Sequence, residues 1–263
     1  MSKLTGERPI QGATPDALLA LHDAGYREVV ARLGPGIVLD VGCGIGDETA
    51  RLAADDRLVI GVDYDAATVV SAGREAAPGV RFAGSDGSQL GLRDRSIDWV
   101  VSSHVIEHFD NPIVHVAELA RVVAEDGTVI VITPNAPADF ENPFHLYLFE
   151  AAHLVSMLSL FFKDVECIGL EGDDALHADF AARRASGERI LRLDVLNLRR
   201  RIPRRTYVWA YERALPVVYK MLGSDRSGVG SGLDASHFYA TDEITPATPV
   251  LFAIARHPRG RVR

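Results

Sequence analysis

Short apolar runs alternate with segments of helical periodicity over most of residues 14–170. The apolar runs lie near 37–41, 58–62, 80–83, 97–101 and 128–133; helical patterns cover 14–33, 112–124 and 150–161, and further helices are expected to start near 47 and 66. Runs of this length that end at glycine or acidic residues are typical of buried strands. The regular strand–helix alternation predicts a doubly wound α/β fold on a parallel sheet.

A turn with glycine at alternate positions follows the first apolar run. Gly42, Gly44 and Gly46 come directly after Val41, and a helix is expected from about Asp47. Glycine has no Cβ, so a ligand can come close to the backbone of such a turn. The segment is a candidate binding turn for a nucleotide-type ligand, although a purely structural turn would contain the same glycines.

Acidic residues around this turn decide which ligand it suits. A dinucleotide pyrophosphate is typically bound by G-x-G-x-x-G at a helix N-terminus. Here the third glycine comes one residue early, Asp47 takes the place of the last glycine, and Asp40 precedes the turn. Carboxylates repel phosphate and attract cations. The pattern therefore favours a cationic nucleotide derivative and argues against an NAD-dependent dehydrogenase.

The pattern D-x-G-x-G-x-G at 40–46 resembles the first motif of the class I S-adenosylmethionine-dependent methyltransferases. Later segments match in the same order: Asp63 ends the second strand, Asp86 and Gly87 follow the third, and D-x-V-x-x-x-x-V-I-E-H covers 98–108. The resemblance extends over about residues 36 to 170. It is closest to small-molecule methyltransferases that include the ubiquinone-pathway enzymes.

This resemblance implies S-adenosylmethionine as cofactor and places its contacts at the strand ends. Asp63 would accept the ribose hydroxyls, Asp86 would accept the adenine amine, and Tyr64 would lie against the adenine face. Other interpretations stay open, because Asp63 could cap the next helix, with or without this contact, and Tyr64 could be a half-exposed aromatic. The predicted cofactor contacts are Asp40, Gly42, Cys43, Gly44, Gly46, Asp63, Tyr64, Ser85, Asp86, Gly87 and Ser103.

The resemblance also implies an organisation of the chain. We expect a Rossmann-like seven-stranded sheet in which the last two strands, 165–170 and 249–256, pair as an antiparallel edge hairpin. The long stretch between them is interpreted as an inserted helical cap, with helices near 174–186, 188–198 and 206–222, that would cover the substrate. The predicted divisions are a helical lid at 1–35, a cofactor-binding domain at 36–170 and 246–258, and the cap at 171–245.

The predicted cap is rich in arginine and aromatic residues. Its arginines would suit an anionic substrate or an anionic membrane surface, and its aromatics a ring or lipid substrate. The interpretation that we favour is a solvated helix face, with the arginines paired to Asp173, Asp174 and Glu188, and ordinary helix packing for most of the aromatics. The residues concerned are Arg183, Arg184, Arg189, Arg192, the run 199–205, and Tyr207, Trp209, Tyr211 and Tyr219.

Composition excludes several other classes of protein. The chain has 263 residues, of which 47% are hydrophobic, a net charge of -8 and two cysteines. A negative net charge argues against binding nucleic acid through phosphate contacts, and two distant cysteines suggest neither a disulfide framework nor a zinc site. The N-terminus has no signal-peptide core, and no apolar stretch is long enough to span a bilayer. We expect a cytoplasmic protein without nucleic-acid or integral-membrane partners.

Methyl transfer to a hydroxyl needs a base, and near pH 7 a neutral histidine is the usual one. His108 and Glu107 follow the fourth strand, where the donor methyl should point, and His145 lies in a segment that resembles the family's acceptor loop. We predict these three as catalytic residues, with His104 as a further candidate base. For His108, orientation of Glu107 or helix capping stays open.

Some relatives with E-x-x-E-H bind a divalent ion. Here His104 stands in place of the first acid, and the loss of this hard oxygen ligand weakens the case for magnesium. We predict no metal, although an ion held by Glu107, His108 and His145 stays an alternative.

The sequence as a whole predicts S-adenosylmethionine-dependent methylation of a small molecule. An oxygen atom of a sugar, lipid or polyketide-like acceptor is the first candidate. The alternatives are C- or N-methylation, or cofactor binding without transfer. Contact with an anionic surface and a homodimer are partners that the sequence leaves open.

Overall fold

The computed structural model describes residues 14–139, 144–191, Arg213 and 230–260, with helix side chains described up to residue 185. These residues form two compact units. The core unit comprises residues 25–139, 146–171 and 240–260, and the accessory unit comprises 14–24, 144–145, 172–191, Arg213 and 230–239. The predicted lid at 1–35 and cap at 171–245 stay predictions.

Strands and helices alternate through the first part of the chain, as the apolar pattern predicts. Two short 3-10 helices lie at Ile106–His108 and Ala235–His237. The remaining elements are α1 (Asp16–Val30), β1 (Gly36–Val41), α2 (Asp47–Ala50), β2 (Arg57–Asp63), α3 (Ala66–Arg74), β3 (Val80–Gly84), β4 (Ile97–Ser103), α4 (Pro112–Val122), β5 (Val123–Pro134), α5 (Ala151–Ser159), β6 (Phe162–Gly172), α6 (Asp174–Leu191), β7 (Phe238–Thr241) and β8 (Val250–Pro258).

The strands form one mixed sheet in the order β3-β2-β1-β4-β5-β8-β6-β7. Strands β1 to β5 are parallel, and β8 runs antiparallel to both β5 and β6. This confirms the Rossmann-like α/β fold and the antiparallel pairing of the two late strands. The expected count of seven strands was wrong, because the described residues already form a sheet of eight.

The strand that the sequence did not predict is β7, which lies at the sheet edge beside β6. Of its four residues, Phe238 is buried and Tyr239 and Ala240 are exposed. An edge strand has a neighbour on one side only and can remain solvated, so it needs no continuous apolar run. The segment therefore lacked the signal by which the other strands were predicted, and it was included in the helical cap.

The core is built on the central strands. Leu39 of β1, Val100 of β4 and Ile130 of β5 are almost completely buried, and every residue of β8 from 250 to 255 is buried as well. Parallel strands are usually covered on both faces, so their sequences read as continuous apolar runs instead of alternating patterns. Because the middle of each strand is buried, polar residues of these strands are found mainly at the strand ends. The candidate site lies at those ends.

Helix α6 differs from the prediction of two helices near 174–186 and 188–198. It continues unbroken to Leu191 through Gly187, because one glycine inside a helix costs only about 1 kcal/mol. In its described part, Arg183 Nε lies 3.7 Å from Asp179 Oδ2.

No described helix has both the length and the apolar character needed to cross a membrane.

The remaining cap predictions lie outside the described residues. These are the helix predicted at 206–222, the side chains of Arg189 and Arg192, the arginine run at 199–205, and Tyr207, Trp209, Tyr211 and Tyr219.

Candidate cofactor and methyl-transfer site

The glycine turn after β1 has a left-handed backbone at all three glycines, with φ of 81° at Gly42, 51° at Gly44 and 88° at Gly46. A Cβ at Gly42 would overlap Val105, and one at Gly46 would lie 2.6 Å from Phe82 Cζ. A Cβ at Gly44 would meet nothing within 4 Å. The turn is thus packed at two of its glycines and open at Gly44, which is where a ligand can approach the backbone.

Asp63 ties this turn to the end of β2. Its Oδ2 accepts from the Gly44 N–H at 3.0 Å and its Oδ1 from the Asp65 N–H at 2.9 Å. The cap of helix α3 is Asp65, whose side chain accepts from Ala67 N, so the alternative that Asp63 caps this helix was wrong. Each carboxylate oxygen can accept a further hydrogen bond, which is the capacity that a ribose diol requires.

Asp40 is completely buried at the end of β1. The Tyr26 hydroxyl donates to its Oδ1 at 2.9 Å and the Thr49 hydroxyl to its Oδ2 at 2.5 Å. Burial raises the pKa of Asp40 to about 6, although both hydrogen bonds act in the opposite direction. Asp40 therefore joins helices α1 and α2 to the strand that carries the glycine turn.

The raised pKa of Asp40 predicts an effect on stability. Because the folded-state pKa lies above the unfolded value, the native protein holds a proton in mildly acidic solution that the unfolded chain releases. This contribution to stability is lost as pH rises through the folded pKa. The Asp40→Asn variant lacks it, so its free energy of unfolding relative to wild type should increase by about 2 kcal/mol between about pH 4.5 and about pH 7.5.

Urea denaturation of the cofactor-free proteins at the two pH values measures this difference. Asp55→Asn, at an exposed acid that precedes β2, serves as the control and should show no such change. An equal difference between Asp40→Asn and wild type at both pH values would contradict the shifted pKa.

The loop after β3 contains the predicted adenine contacts. Ser85 N donates to the Asp63 carbonyl at 3.0 Å, and Asp86 Oδ1 accepts from Ser88 N and Oγ, both at 2.7 Å. These two bonds hold the pKa of Asp86 below its usual value, so the carboxylate is charged near pH 7. There is little room for a side chain at position 87, since a Cβ added to Gly87 would lie 3.2 Å from both His115 and Phe109.

Beyond β4 the chain places a histidine beside a buried carboxylate. His104 has a left-handed backbone with φ of 55°, a conformation that is uncommon outside glycine. Its Nδ1 lies 3.4 Å from Oε1 of Glu107, which is 1% exposed. Residues held in sparsely populated backbone conformations often cluster at functional sites.

Glu107 is held from both its side chain and its backbone. The Thr133 hydroxyl donates to Oε2 at 3.0 Å, and the Glu107 carbonyl accepts from Leu146 N at 2.7 Å and Tyr147 N at 3.0 Å. The carboxylate is therefore fixed relative to the end of β5 and to the segment that begins at Leu146. Its second oxygen is the one that lies near His104.

The other predicted site residues have varied surroundings. Cys43 and Ser103 are buried, and Ser103 Oγ forms no hydrogen bond with the described residues. Tyr64 is 72% exposed, and His108 is half-buried in the first 3-10 helix. His145 is half-buried and belongs to the accessory unit.

Several polar partners in this site were not predicted from the sequence. Tyr26, Thr49, His115 and Thr133 are each buried and hydrogen-bonded to a residue of the site or of its loops. A single hydroxyl or imidazole among apolar neighbours has no spacing that distinguishes it from ordinary packing. The weak signal that was available is that each lies on an element adjacent to a predicted strand end.

Comparisons with known proteins agree with this geometry. A family model described as a methyltransferase domain matches residues 39–131. A probable S-adenosylmethionine-dependent methyltransferase of Mycolicibacterium smegmatis is 36% identical over 180 residues, which make up 66% of this chain and 67% of the relative. The chain spans about two thirds of the length of this relative and of a similar protein of Mycobacterium tuberculosis.

Solved structures show the same fold at low sequence identity. A Thermotoga maritima protein described as an S-adenosylmethionine-dependent methyltransferase, possible histamine N-methyltransferase, has a TM-score of 0.58 and 14% identity, over 91% of each chain. Phosphoethanolamine N-methyltransferase 2 of Haemonchus contortus, in complex with S-adenosylmethionine, has a TM-score of 0.52 and 17% identity, over 94% of this chain and 54% of that chain.

The chain belongs to the S-adenosylmethionine-dependent methyltransferases. It is an enzyme of this family, with the class I Rossmann-like fold and S-adenosylmethionine as its cofactor. The residues present fit this cofactor, because Gly44 is open to a ligand and Asp63 and Asp86 offer carboxylate oxygens at neighbouring strand ends.

Proposed function

We propose that this enzyme methylates a hydroxyl oxygen of a small-molecule acceptor, and that a histidine beside β4 removes the hydroxyl proton. The observation that carries this proposal is the pair formed by His104 Nδ1 and the buried Glu107 Oε1, 3.4 Å apart. Such pairs are often longer in the free enzyme than in the complex with substrate. An imidazole held by a carboxylate is a common general base at neutral pH.

The chemistry explains why a base matters for an oxygen acceptor. S-adenosylmethionine supplies an activated methyl group on a sulfonium, so the protein mainly aligns donor and acceptor. A hydroxyl holds its proton near pH 7, and its oxygen becomes a strong nucleophile only as that proton leaves. In the proposed step the acceptor oxygen forms a bond to the methyl carbon, the carbon–sulfur bond breaks, and the proton passes to imidazole.

The surroundings of Glu107 suit the task of orienting this imidazole. Its Oε2 is occupied by the Thr133 hydroxyl, which leaves Oε1 on the side of His104. The 3.4 Å separation must shorten for Oε1 to accept from Nδ1–H, and that bond would then fix the neutral tautomer in which Nε2 can take a proton. In this arrangement Glu107 acts as a positioning residue and His104 as the catalytic one.

His108 and His145 remain alternative bases in this proposal. His108 follows Glu107 directly in the 3-10 helix and is half-buried, so it can contact an acceptor whichever histidine is the base. A sugar, lipid or polyketide-like acceptor, a covering cap and a homodimer likewise stay proposals.

The proposal is tested in two stages. Calorimetric titration should show binding of S-adenosylmethionine and S-adenosylhomocysteine and none of NAD. S-adenosylhomocysteine formation is then followed with matched acceptors that carry a hydroxyl, an amine or an activated carbon on the same ring. Turnover confined to the hydroxyl members is expected. Turnover only with amine or carbon acceptors would contradict O-methylation, and cofactor binding without turnover on any acceptor would favour a binding role.

A further inference from the structure

Helix α4 buries a histidine that the methyl-transfer mechanism does not use. His115 is 0% exposed. Its Nδ1 lies 2.8 Å from the Gly87 carbonyl oxygen and its Nε2 lies 2.9 Å from Ser102 Oγ. The ring also stacks on Phe109, with centroids 4.5 Å apart and an angle of 15° between the planes. Both polar ring atoms and one face are therefore held by the protein.

These partners determine the protonation state of the ring. A carbonyl oxygen can only accept, so Nδ1 must carry the hydrogen, and Nε2 then accepts from the Ser102 hydroxyl. Burial lowers the pKa of His115 to about 4, so the imidazole is neutral near pH 7. The ring is thus a neutral donor fixed in one tautomer and aimed at a single backbone carbonyl.

That carbonyl belongs to the peptide group that also binds Asp86. The Gly87 carbonyl and the Ser88 N–H are parts of one planar trans peptide, so they point in opposite directions. His115 holds the carbonyl end, and the N–H end donates to Asp86 Oδ1 at 2.7 Å. Fixing the carbonyl therefore fixes the direction of the N–H that orients the carboxylate.

We propose that His115 is a positioning residue for adenine recognition, acting through the Gly87–Ser88 peptide to orient Asp86. The Ser88 N–H and hydroxyl occupy Oδ1, and Oδ2 is then presented to the exocyclic amine of the adenine. The inference rests on the predicted role of Asp86 as acceptor of this amine. It adds a residue of α4, remote in sequence from the loop, to the determinants of base selectivity.

The test compares two ligands that differ only at the exocyclic group. S-adenosylhomocysteine carries the amine, and its purine-riboside analogue carries only a hydrogen at that carbon, so it has nothing to donate to Asp86. Calorimetry with the wild-type protein should show that the purine-riboside analogue binds about 10- to 100-fold more weakly, the range expected for a hydrogen bond to a charged group. The ratio of the two dissociation constants is the readout.

Three variants isolate the proposed connection. In His115→Phe the ring can still stack on Phe109 but has no N–H to donate. The ratio of the two dissociation constants should therefore fall to within about threefold of one. His115→Asn can still donate near the Nδ1 position and should retain most of the ratio. Ser102→Ala leaves Nε2 without its donor, so the ring that donates to the Gly87 carbonyl is held less firmly, and an intermediate ratio is expected.

The outcomes separate a positioning role from a structural one. If His115→Phe weakens both ligands equally and leaves the ratio unchanged, the proposal is overturned. If this variant does not fold, His115→Leu and His115→Asn decide: a reduced ratio in the first and a retained ratio in the second supports the proposal, and an unchanged ratio in His115→Leu refutes it.

Asp86→Ala separates this inference from its premise. A ratio that survives in Asp86→Ala shows that the carboxylate does not bind the amine, and the premise fails. If the difference between the two ligands is lost in Asp86→Ala but kept in His115→Phe, the role of Asp86 is supported. Only the role of His115 is then refuted.

Discussion

The Asp63→Ala variant is expected to bind S-adenosylhomocysteine at least about 100-fold more weakly than the wild-type protein. The substitution removes the charged acceptor that we assign to the two ribose hydroxyls, and a hydrogen bond to a charged group contributes about 1.5–3 kcal/mol. It also removes the partner of the Gly44 N–H, which lies at the open point of the glycine turn. Two such bonds correspond to a loss of about 10²- to 10⁴-fold in affinity, which calorimetry measures directly.

Two further variants make this result specific. Asp56→Ala removes an acid whose side chain is 60% exposed at the opposite end of the same strand, and should leave affinity within about threefold of wild type. Asp63→Asn keeps the shape and one acceptor oxygen, so an intermediate loss is expected. Wild-type affinity in a folded Asp63→Ala protein would show that the ribose is held elsewhere.

The His104→Asn variant is expected to lower turnover by about 10²- to 10⁴-fold, the usual contribution of a general base. Cofactor affinity should change by less than about threefold, because the proposed role concerns the acceptor proton. Asparagine tolerates the left-handed backbone found at this position, so the substitution tests the imidazole with little added strain. Steady-state kinetics with the acceptor identified by screening, together with calorimetry, separates the two effects.

The chain offers a closely matched control for this experiment. His257 also has a left-handed backbone, with φ of 54°, and its Nδ1 lies 2.6 Å from the Asp164 carboxylate. It follows Arg256, which pairs with Thr128, the first β5 residue in the pairing with β8, whereas the candidate site lies at the carboxyl ends of the parallel strands. His257→Asn should therefore keep wild-type turnover.

The same assay decides between the candidate bases. A large loss in His108→Asn or His145→Asn, with His104→Asn active, would move the base to that residue. Equal losses of turnover and cofactor affinity in His104→Asn would instead assign His104 a structural role.

The placement of much of the candidate cofactor site could be predicted because of a property of parallel sheets. The carboxyl ends of the strands share one edge, so acids that end successive apolar runs must lie close together. Asp40, Asp63 and the Asp86 loop follow this logic, and the glycine turn adds a local pattern that depends on backbone conformation alone. Such features are encoded within a few residues, and a single sequence displays them.

The parts that could not be predicted depend on contacts between distant segments. The pairing of His104 with Glu107 needs a left-handed residue followed by a 3-10 turn, and histidine at such a position has no sequence signal. Tyr26 reaches Asp40 from a separate helix, and His115 occupies the buried face of α4, where an apolar residue would be expected. Each of these contacts can be recognised only once the three-dimensional structure shows which residue is the partner.

The position of β8 has a consequence for how the chain folds. This strand is the last one described, yet it lies between β5 and β6 and hydrogen-bonds to both. Until residues 250–258 leave the ribosome, β5 and β6 each have an unpaired edge, and such edges promote association between chains. The sheet must therefore be completed by a late insertion between strands already made, and closure over this sequence distance is expected to be slow.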